Sequence, residues 1–460
     1  MKILFASRYV DPVDSRANRI IVQQARGLQD EFDVDLEILT WPHRDHWTGP
    51  VATQIPTHDP LRMERDGLSY VVIAGHNNWN ELAGGNCISD RDWEAAITYG
   101  MQLLKKLNPD VFHLHHRFGF WWLLAAAQRL GIPTVYTNYD WGMACLRTVL
   151  VNGDGNLCDG IVTPEKCAAC IKKGRKRVLA KFNEMLAETR FGEKILTGLS
   201  ESSVTGDKFR SIGAVRQSAL QRTTTHLNRV SSTVRGLSHL ITPSEFGKQF
   251  FKQFGISEMN VKVMPWFHDI AEVSQTQSLI NKPFTLTFVG RVSPEKGVHL
   301  IFEALERLDD IPNVLLRVAS ANDSAYCKSL KDRYGSNVGK HQVSWQEWTQ
   351  SWSPIVELLR TTDVTVIPST CMDNTPLSLI ESMAYQVPVI ATSIPTITGL
   401  KDIDGVGYFA EFNSVESLSM AIRNAVLSQD LIRSHKCKFP KIPTAREYGA
   451  ELLDIYSSII

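Results

Sequence analysis

One feature limits the fold more than any other: short apolar runs alternate with helical patterns, and the alternation occurs twice. Lys2–Ala6, Val34–Thr40, Ser69–Ala74, Asp110–Leu114 and Thr134–Thr137 read as strands in the first half, and His239–Thr242 resumes the pattern. A helix over Trp93–Leu107 is expected from Trp93, Ile97, Met101 and Leu104 near helical spacing. The second series has strands at Val261–Met264, Phe284–Val289, Val314–Ala319, Val364–Pro368 and Pro388–Thr392. Helices fall between them at Lys296–Leu308 and Pro376–Tyr385, and Ala445–Ile460 ends the chain as an amphipathic helix. Such alternation implies parallel sheets built from βαβ units. At 460 residues the chain is too long for one core, so two doubly wound α/β halves are expected, facing a cleft. The boundaries expected are 1–265, 283–440 and a terminal helix at 441–460, with a Cys-rich insertion at 141–171.

Charge narrows the function classes. Lys plus Arg equals Asp plus Glu at 49 each, which argues against a dedicated nucleic-acid binder. No apolar run reaches the length of a membrane span. The start, Met1-Lys2-Ile3-Leu4-Phe5-Ala6, is too short an apolar stretch for a signal peptide, so a cytoplasmic protein is expected. The densest basic run is Lys172-Lys173-Gly174-Arg175-Lys176-Arg177, with an apolar stripe after it. It reads either as a solvated helix or as a peripheral contact of 172–186 with the inner face of a membrane.

Ligands of open α/β sheets sit at the carboxyl ends of the strands. Two strand-to-helix loops of the second half carry suitable chemistry. In Gly290-Arg291-Val292-Ser293-Pro294-Glu295-Lys296-Gly297, Gly290 ends a strand and Arg291 and Lys296 supply two cations. Ser293 is a candidate N-cap and Pro294 suits the first helical position. A diphosphate fits there, and so does a plain surface turn. In the second loop, Asp373-Asn374-Thr375-Pro376-Leu377 precedes a helix bearing Glu381, with Thr375 as candidate cap. Carboxylates accept hydrogen bonds from hydroxyl-rich ligands, but acidic residues are also simply favourable near helix starts.

The two loops together resemble the retaining GT-B nucleotide-sugar glycosyltransferases, specifically glycosyltransferase family 4. The resemblance rests on Gly-Arg-x4-Lys-Gly after a strand, then an acidic residue, seven residues and Glu. It extends over most of 284–395 and includes Val387-Pro388-Val389-Ile390-Ala391-Thr392 as the next strand. It implies a GT-B architecture with a donor half at the C-terminal side and a final helix returning to the first half. Arg291 and Lys296 would neutralise the donor diphosphate, and Glu381 would bind ribose hydroxyls. Asp373 would contact the donor sugar, and Gly290, Asn374, Thr375, Pro376 and Leu377 would complete the nucleotide site. The donor would be a UDP-, GDP- or ADP-sugar, with no catalytic metal. The acceptor would be a carbohydrate or lipid-linked hydroxyl in polysaccharide or glycoconjugate assembly.

Three departures from that family stand out. Asp373 is one methylene shorter than the usual Glu. The first loop, Asp11 to Asn18, has no Gly. Tyr139, followed by Asp140, stands where the family has a His contacting the reaction centre, and a Tyr cannot become a cation at neutral pH. A catalytically reduced homologue that binds nucleotide or acts as a scaffold is therefore the alternative. No GxGxxG follows any strand, which disfavours a nicotinamide oxidoreductase.

Four of the eight cysteines, Cys145, Cys158, Cys167 and Cys170, fall within 26 residues. Four thiolates with one CxxC pair suit a structural zinc, with an iron–sulfur cluster as the lesser option and unrelated thiols as the plain one. A similar cluster follows the His-Asp pair in a subset of family 4 sequences. His113-Leu114-His115-His116 closes a strand and reads as polar strand-end residues or acceptor contacts.

Overall fold

The computed structural model describes residues 1–7, 16–40, 60–73, 89–116, 120–174, 219–268, 282–320, 324–347, 353–398, 407–434 and 439–460. Two open sheets organise them. The first has eight strands in the order β3 (Leu61–Arg65), β4 (Leu68–Val72), β2 (Asp35–Thr40), β1 (Lys2–Ala6), β5 (Val111–Leu114), β6 (Thr134–Thr137), β7 (His239–Thr242) and β8 (Val261–Val263). The second has seven, β11 (Asn337–Val338), β12 (His341–Glu347), β10 (Val314–Ser320), β9 (Phe284–Val289), β13 (Val364–Ile367), β14 (Val389–Thr392) and β15 (Gly407–Ala410). All pairings are parallel except β3 with β4 and β11 with β12 at the edges. The α/β class with two doubly wound sheets stands as expected.

The central strands are sealed on both faces, which is why they read as unbroken apolar runs. Every residue of β5, β6, β9, β13 and β14 is buried. The strands absent from the sequence reading are of another kind. Leu61–Arg65 is nearly all exposed and charged, and His341–Glu347 is exposed toward its end. Charge on an edge strand blunts pairing with other chains, and it also erases the apolar signature.

The carboxyl-terminal helix Ala445–Ile459 packs on the first half, against the helix Arg16–Phe32. Tyr448, Leu452, Ile455 and Tyr456 enter the same apolar cluster as Ile3, Phe5, Ile21 and Leu28. Thr444 and Glu447 cap its start reciprocally, a capping box. A second cluster lies within the C-terminal half, from Phe284 to Val426. The remaining cluster runs between the halves and holds Trp141, Trp266, Met372, Leu379 and Ile380 together. Among the described residues, no helix is long and apolar enough to cross a membrane. Residues 175–186 of the basic run lie outside the described residues.

Candidate functional site

The two loops singled out in the second half lie side by side after β9 and β13. Gly297 makes this approach feasible. Its φ is +67°, and a Cβ there would lie 1.8 Å from the Pro368 carbonyl oxygen. The Thr370 amide donates to the Glu295 carbonyl at 3.0 Å, and the Thr370 hydroxyl donates to the Pro294 carbonyl at 2.8 Å. Two expectations about helix starts are corrected here. Pro294–Lys296 is a separate short turn, and the helix begins at Val298, after the left-handed Gly297. Ser293 occupies the cap position of that turn without a side-chain capping bond. Nor does Thr375 cap the next helix: Pro376 takes that position and the helix runs Leu377–Ala384.

Lys296 reaches across the gap. Its Nζ lies 2.6 Å from Asp373 Oδ1, while the Ser369 hydroxyl donates to Asp373 Oδ2. Burial alone would lower the Lys296 ammonium, but the Asp373 carboxylate outweighs it and the pKa rises above the ordinary lysine value. Arg291 extends into solvent beside Glu295, 3.7 Å away. Asn374, Thr375 and Pro376 are buried, Leu377 is half-buried, and Gly290 ends β9 with its amide bonded to Ala319. Glu381 is only 1% exposed, on the inward face of its helix. Two cations and a caged carboxylate therefore gather where the two loops meet, with a second carboxylate buried in the adjoining helix. Such a cluster can take a polyanion at its cations and hydroxyl groups at its carboxylates.

Thr375 has φ +57°, a left-handed conformation unusual for a β-branched residue, here also preceding a proline. Strain of this kind costs roughly 1–3 kcal/mol and persists where surrounding contacts impose it. Those contacts come from the first half. The Trp266 indole N–H is shared between the Asn374 and Thr375 carbonyls, at 3.4 and 3.2 Å. The Trp141 indole donates to the Met372 carbonyl at 2.5 Å. Asn374 Nδ2 donates to the Asn138 carbonyl at 2.6 Å, and the Met372 amide to Val149 at 3.0 Å. Nothing in the sequence signalled these indoles; only their burial and distant partners reveal them.

Tyr139 stands at the junction. Its ring stacks on Trp266 with centroids 4.8 Å apart, and its hydroxyl lies 3.3 Å from His115 Nδ1. Burial pushes the phenol well above its ordinary pKa. Behind it, His113 bonds Tyr456 at 2.6 Å and Thr137 at 2.8 Å, and burial lowers its pKa to about 3. Burial, then the neighbouring His113 and His116, also hold His115 neutral. His113 is thus a satisfied core histidine tying the terminal helix to the sheet.

The four clustered cysteines are all free thiols. Burial raises the Cys145 and Cys158 thiols and takes Cys167 to about 11, with neighbouring thiols adding to each shift. The sulfurs are therefore near one another and favour their protonated forms. Even so, among the described residues no group of three or more His, Cys, Asp or Glu is arranged to hold a metal ion. The zinc or iron–sulfur centre expected at Cys145, Cys158, Cys167 and Cys170 is therefore without support among the described residues. The insertion has contacts of its own. Val151 and Leu157 form a bridge, Lys173 pairs with Asp154 at 3.0 Å, and Gly153 lets the turn sit against the Cys170 carbonyl.

Two family descriptions match this chain. "Glycosyl transferases group 1" matches residues 269–438, the half that carries both loops, and "Glycosyltransferase Family 4" matches residues 84–169. The chain is similar to the glycosyltransferases and has the GT-B fold. Solved structures share that fold over all of its length. The α,α-trehalose 6-phosphate synthase of Burkholderia multivorans is 11% identical, covering 100% of this chain and 98% of its own, at TM-score 0.61. A glycosyltransferase of Rickettsia africae is 13% identical with the same coverage, at 0.59. The Anabaena protein HepE, solved with UDP and glucose, is 14% identical over 100% of both chains, at 0.57. No curated protein matches the sequence.

Proposed function

We propose that this chain moves a sugar from a nucleotide-diphosphate donor to an acceptor hydroxyl, with retention of anomeric configuration, in polysaccharide or glycoconjugate assembly. The observation that carries the reading is the pairing of Lys296 with Asp373 at 2.6 Å, with Arg291 on the same loop as Lys296. Glu381 is buried on the adjoining helix. Residues 283–440 would form the donor half and 1–265 the acceptor half, with 441–460 returning to the latter.

In that reading the diphosphate enters beside Gly290, Arg291 and Lys296. The bond between the anomeric carbon and the phosphate oxygen breaks, and charge grows on the leaving diphosphate. Lys296 and Arg291 stabilise that charge, the usual main source of rate in such sites. The acceptor oxygen bonds the anomeric carbon on the same face, and its proton passes to the departing phosphate oxygen. Asp373, freed as Lys296 turns to phosphate, takes donor-sugar hydroxyls, and Glu381 takes those of the ribose. Asn374, Thr375, Pro376 and Leu377 wall the nucleotide. No step calls for a metal. UDP is the first donor to try, since HepE is solved with UDP and glucose. A lipid-linked acceptor would suit a membrane contact through 172–186.

A second reading keeps the donor site and loses turnover. Tyr139 favours it, because a phenol held neutral cannot supply a cation at the reaction centre. A thermal-shift panel with UDP, GDP, ADP and their sugars tests both, on wild type and on Arg291→Ala/Lys296→Ala. A ligand at 100 times its Kd stabilises by roughly 2.7 kcal/mol. A shift with one nucleotide in wild type alone supports the donor site, and sugar transfer or hydrolysis then separates the two readings. No shift with any nucleotide rejects both.

A further inference from the structure

The carbonyls on either side of Asp373 are held by indoles of the opposite half. Trp141 holds the Met372 carbonyl, and Trp266 holds those of Asn374 and Thr375. The Asp373 carbonyl itself accepts from the Thr396 hydroxyl at 2.5 Å. Both indoles are buried, at 1% and 2% exposure, so these bonds have no water to replace them. Thr375, left-handed and before a proline, would not keep that conformation in an unsupported loop. The phosphate-side loop is different: Arg291 and Pro294–Lys296 are tied within their own half.

We propose that Trp141 and Trp266 are positioning residues that shape the sugar end of the donor site. They set the course of the backbone from Met372 to Thr375, and so the direction in which Asp373 presents its carboxylate. Alignment of the two halves and formation of the sugar end are then one event, while the diphosphate end is formed by the C-terminal half alone. The proposal rests on the donor-site reading above and names which residues of the first half complete that site.

The test uses full-length Trp141→Phe and Trp266→Phe. Phenylalanine at 141 retains an aromatic ring beside Phe246 and Phe250, whose centroids lie 5.3 and 5.2 Å from Trp141, and loses the N–H together with part of the ring area. At 266 it keeps the stack on Tyr139. The first readout is hydrogen exchange of the 372–377 amides without ligand, expected to quicken about tenfold in each variant. Titration calorimetry with UDP and UDP-glucose is the second. The Kd for UDP should stay within twofold of wild type, and that for UDP-glucose should weaken about tenfold, the equivalent of one hydrogen bond. Unchanged exchange, or equal weakening of UDP and UDP-glucose, overturns the proposal. If either variant fails to fold, the other carries the test. A wild-type chain that binds neither UDP, GDP nor ADP rejects the donor-site reading instead, and exchange still decides whether the indoles hold the loop.

Discussion

Lys296 Nζ lies 2.6 Å from Asp373 Oδ1, so in the ligand-free protein this ammonium and this carboxylate neutralise each other. In the proposed reaction a diphosphate would compete for Lys296, and the competition would free Asp373 for sugar hydroxyls. The pair would then link the two ends of the site through one exchange of partners.

The pair also predicts a pH signature. The folded Lys296 pKa is raised above its unfolded value of 10.5. Its stabilisation is therefore complete below that value and fades as pH rises through the folded pKa. Wild type should lose thermal stability across this alkaline window more steeply than Asp373→Asn, measured by melting from about pH 10 upward, through the raised Lys296 pKa. Parallel curves would count against the pair. The same variant should lower turnover of the donor by about a hundredfold, the scale expected when one transition-state contact is removed.

Gly297→Ala is expected to be severe. The added Cβ meets a backbone carbonyl at 1.8 Å, and alanine is strained at φ +67°. Backbone cannot rotate aside as a side chain can, so the two loops must separate. We expect a loss of about 2–4 kcal/mol in urea unfolding, from overpacking and strain together. Nucleotide binding should weaken even at temperatures where the variant is folded. An alanine variant with wild-type stability and affinity would mean that the loops need not approach so closely.

How much of this was visible in the sequence follows from distance along the chain. Phe284–Val289 and Thr134–Thr137 were legible because both faces are buried and local composition records that. Gly407–Ala410 and His341–Glu347 were not, since a position at the edge, or next to a two-residue edge strand, leaves a polar, mixed pattern. Lys296, Asp373 and Glu381 could be read from spacing after two strands. Trp141 and Trp266 could not, because their partners lie 231 and 108–109 residues away and a buried tryptophan looks like core. The cysteine spacing pointed to a metal, an expectation that finds no support among the described residues.

The buried histidines predict acid sensitivity. His113 has a folded pKa of about 3 against 6.5 when unfolded. A depressed pKa means that stability is full above 6.5 and drains as pH falls toward 3, because only the unfolded chain takes up the proton. The slope is about 1.4 kcal/mol per pH unit for one such group. His115 is depressed as well and steepens it. In His113→Gln the slope of unfolding free energy between pH 6 and 4 should be shallower by about one proton's worth. An unchanged slope would show that His113 does not stay neutral in the fold.

Tyr139 separates chemistry from binding. Its ring stacks on Trp266 and its hydroxyl faces His115, so Tyr139→Phe removes the polar end and keeps the packing. If the hydroxyl orients the donor sugar, nucleotide affinity should stay within twofold while kcat falls about tenfold, the worth of one neutral hydrogen bond. Tyr139→His restores the residue expected from the family resemblance but sacrifices ring area against Trp266. It also sets a third imidazole beside His115 and His116, where burial would keep it neutral. We therefore expect Tyr139→His to lose stability without gaining turnover over wild type. A gain of tenfold or more, measured as sugar release from the donor, would instead mark Tyr139 as the substitution that attenuated the enzyme.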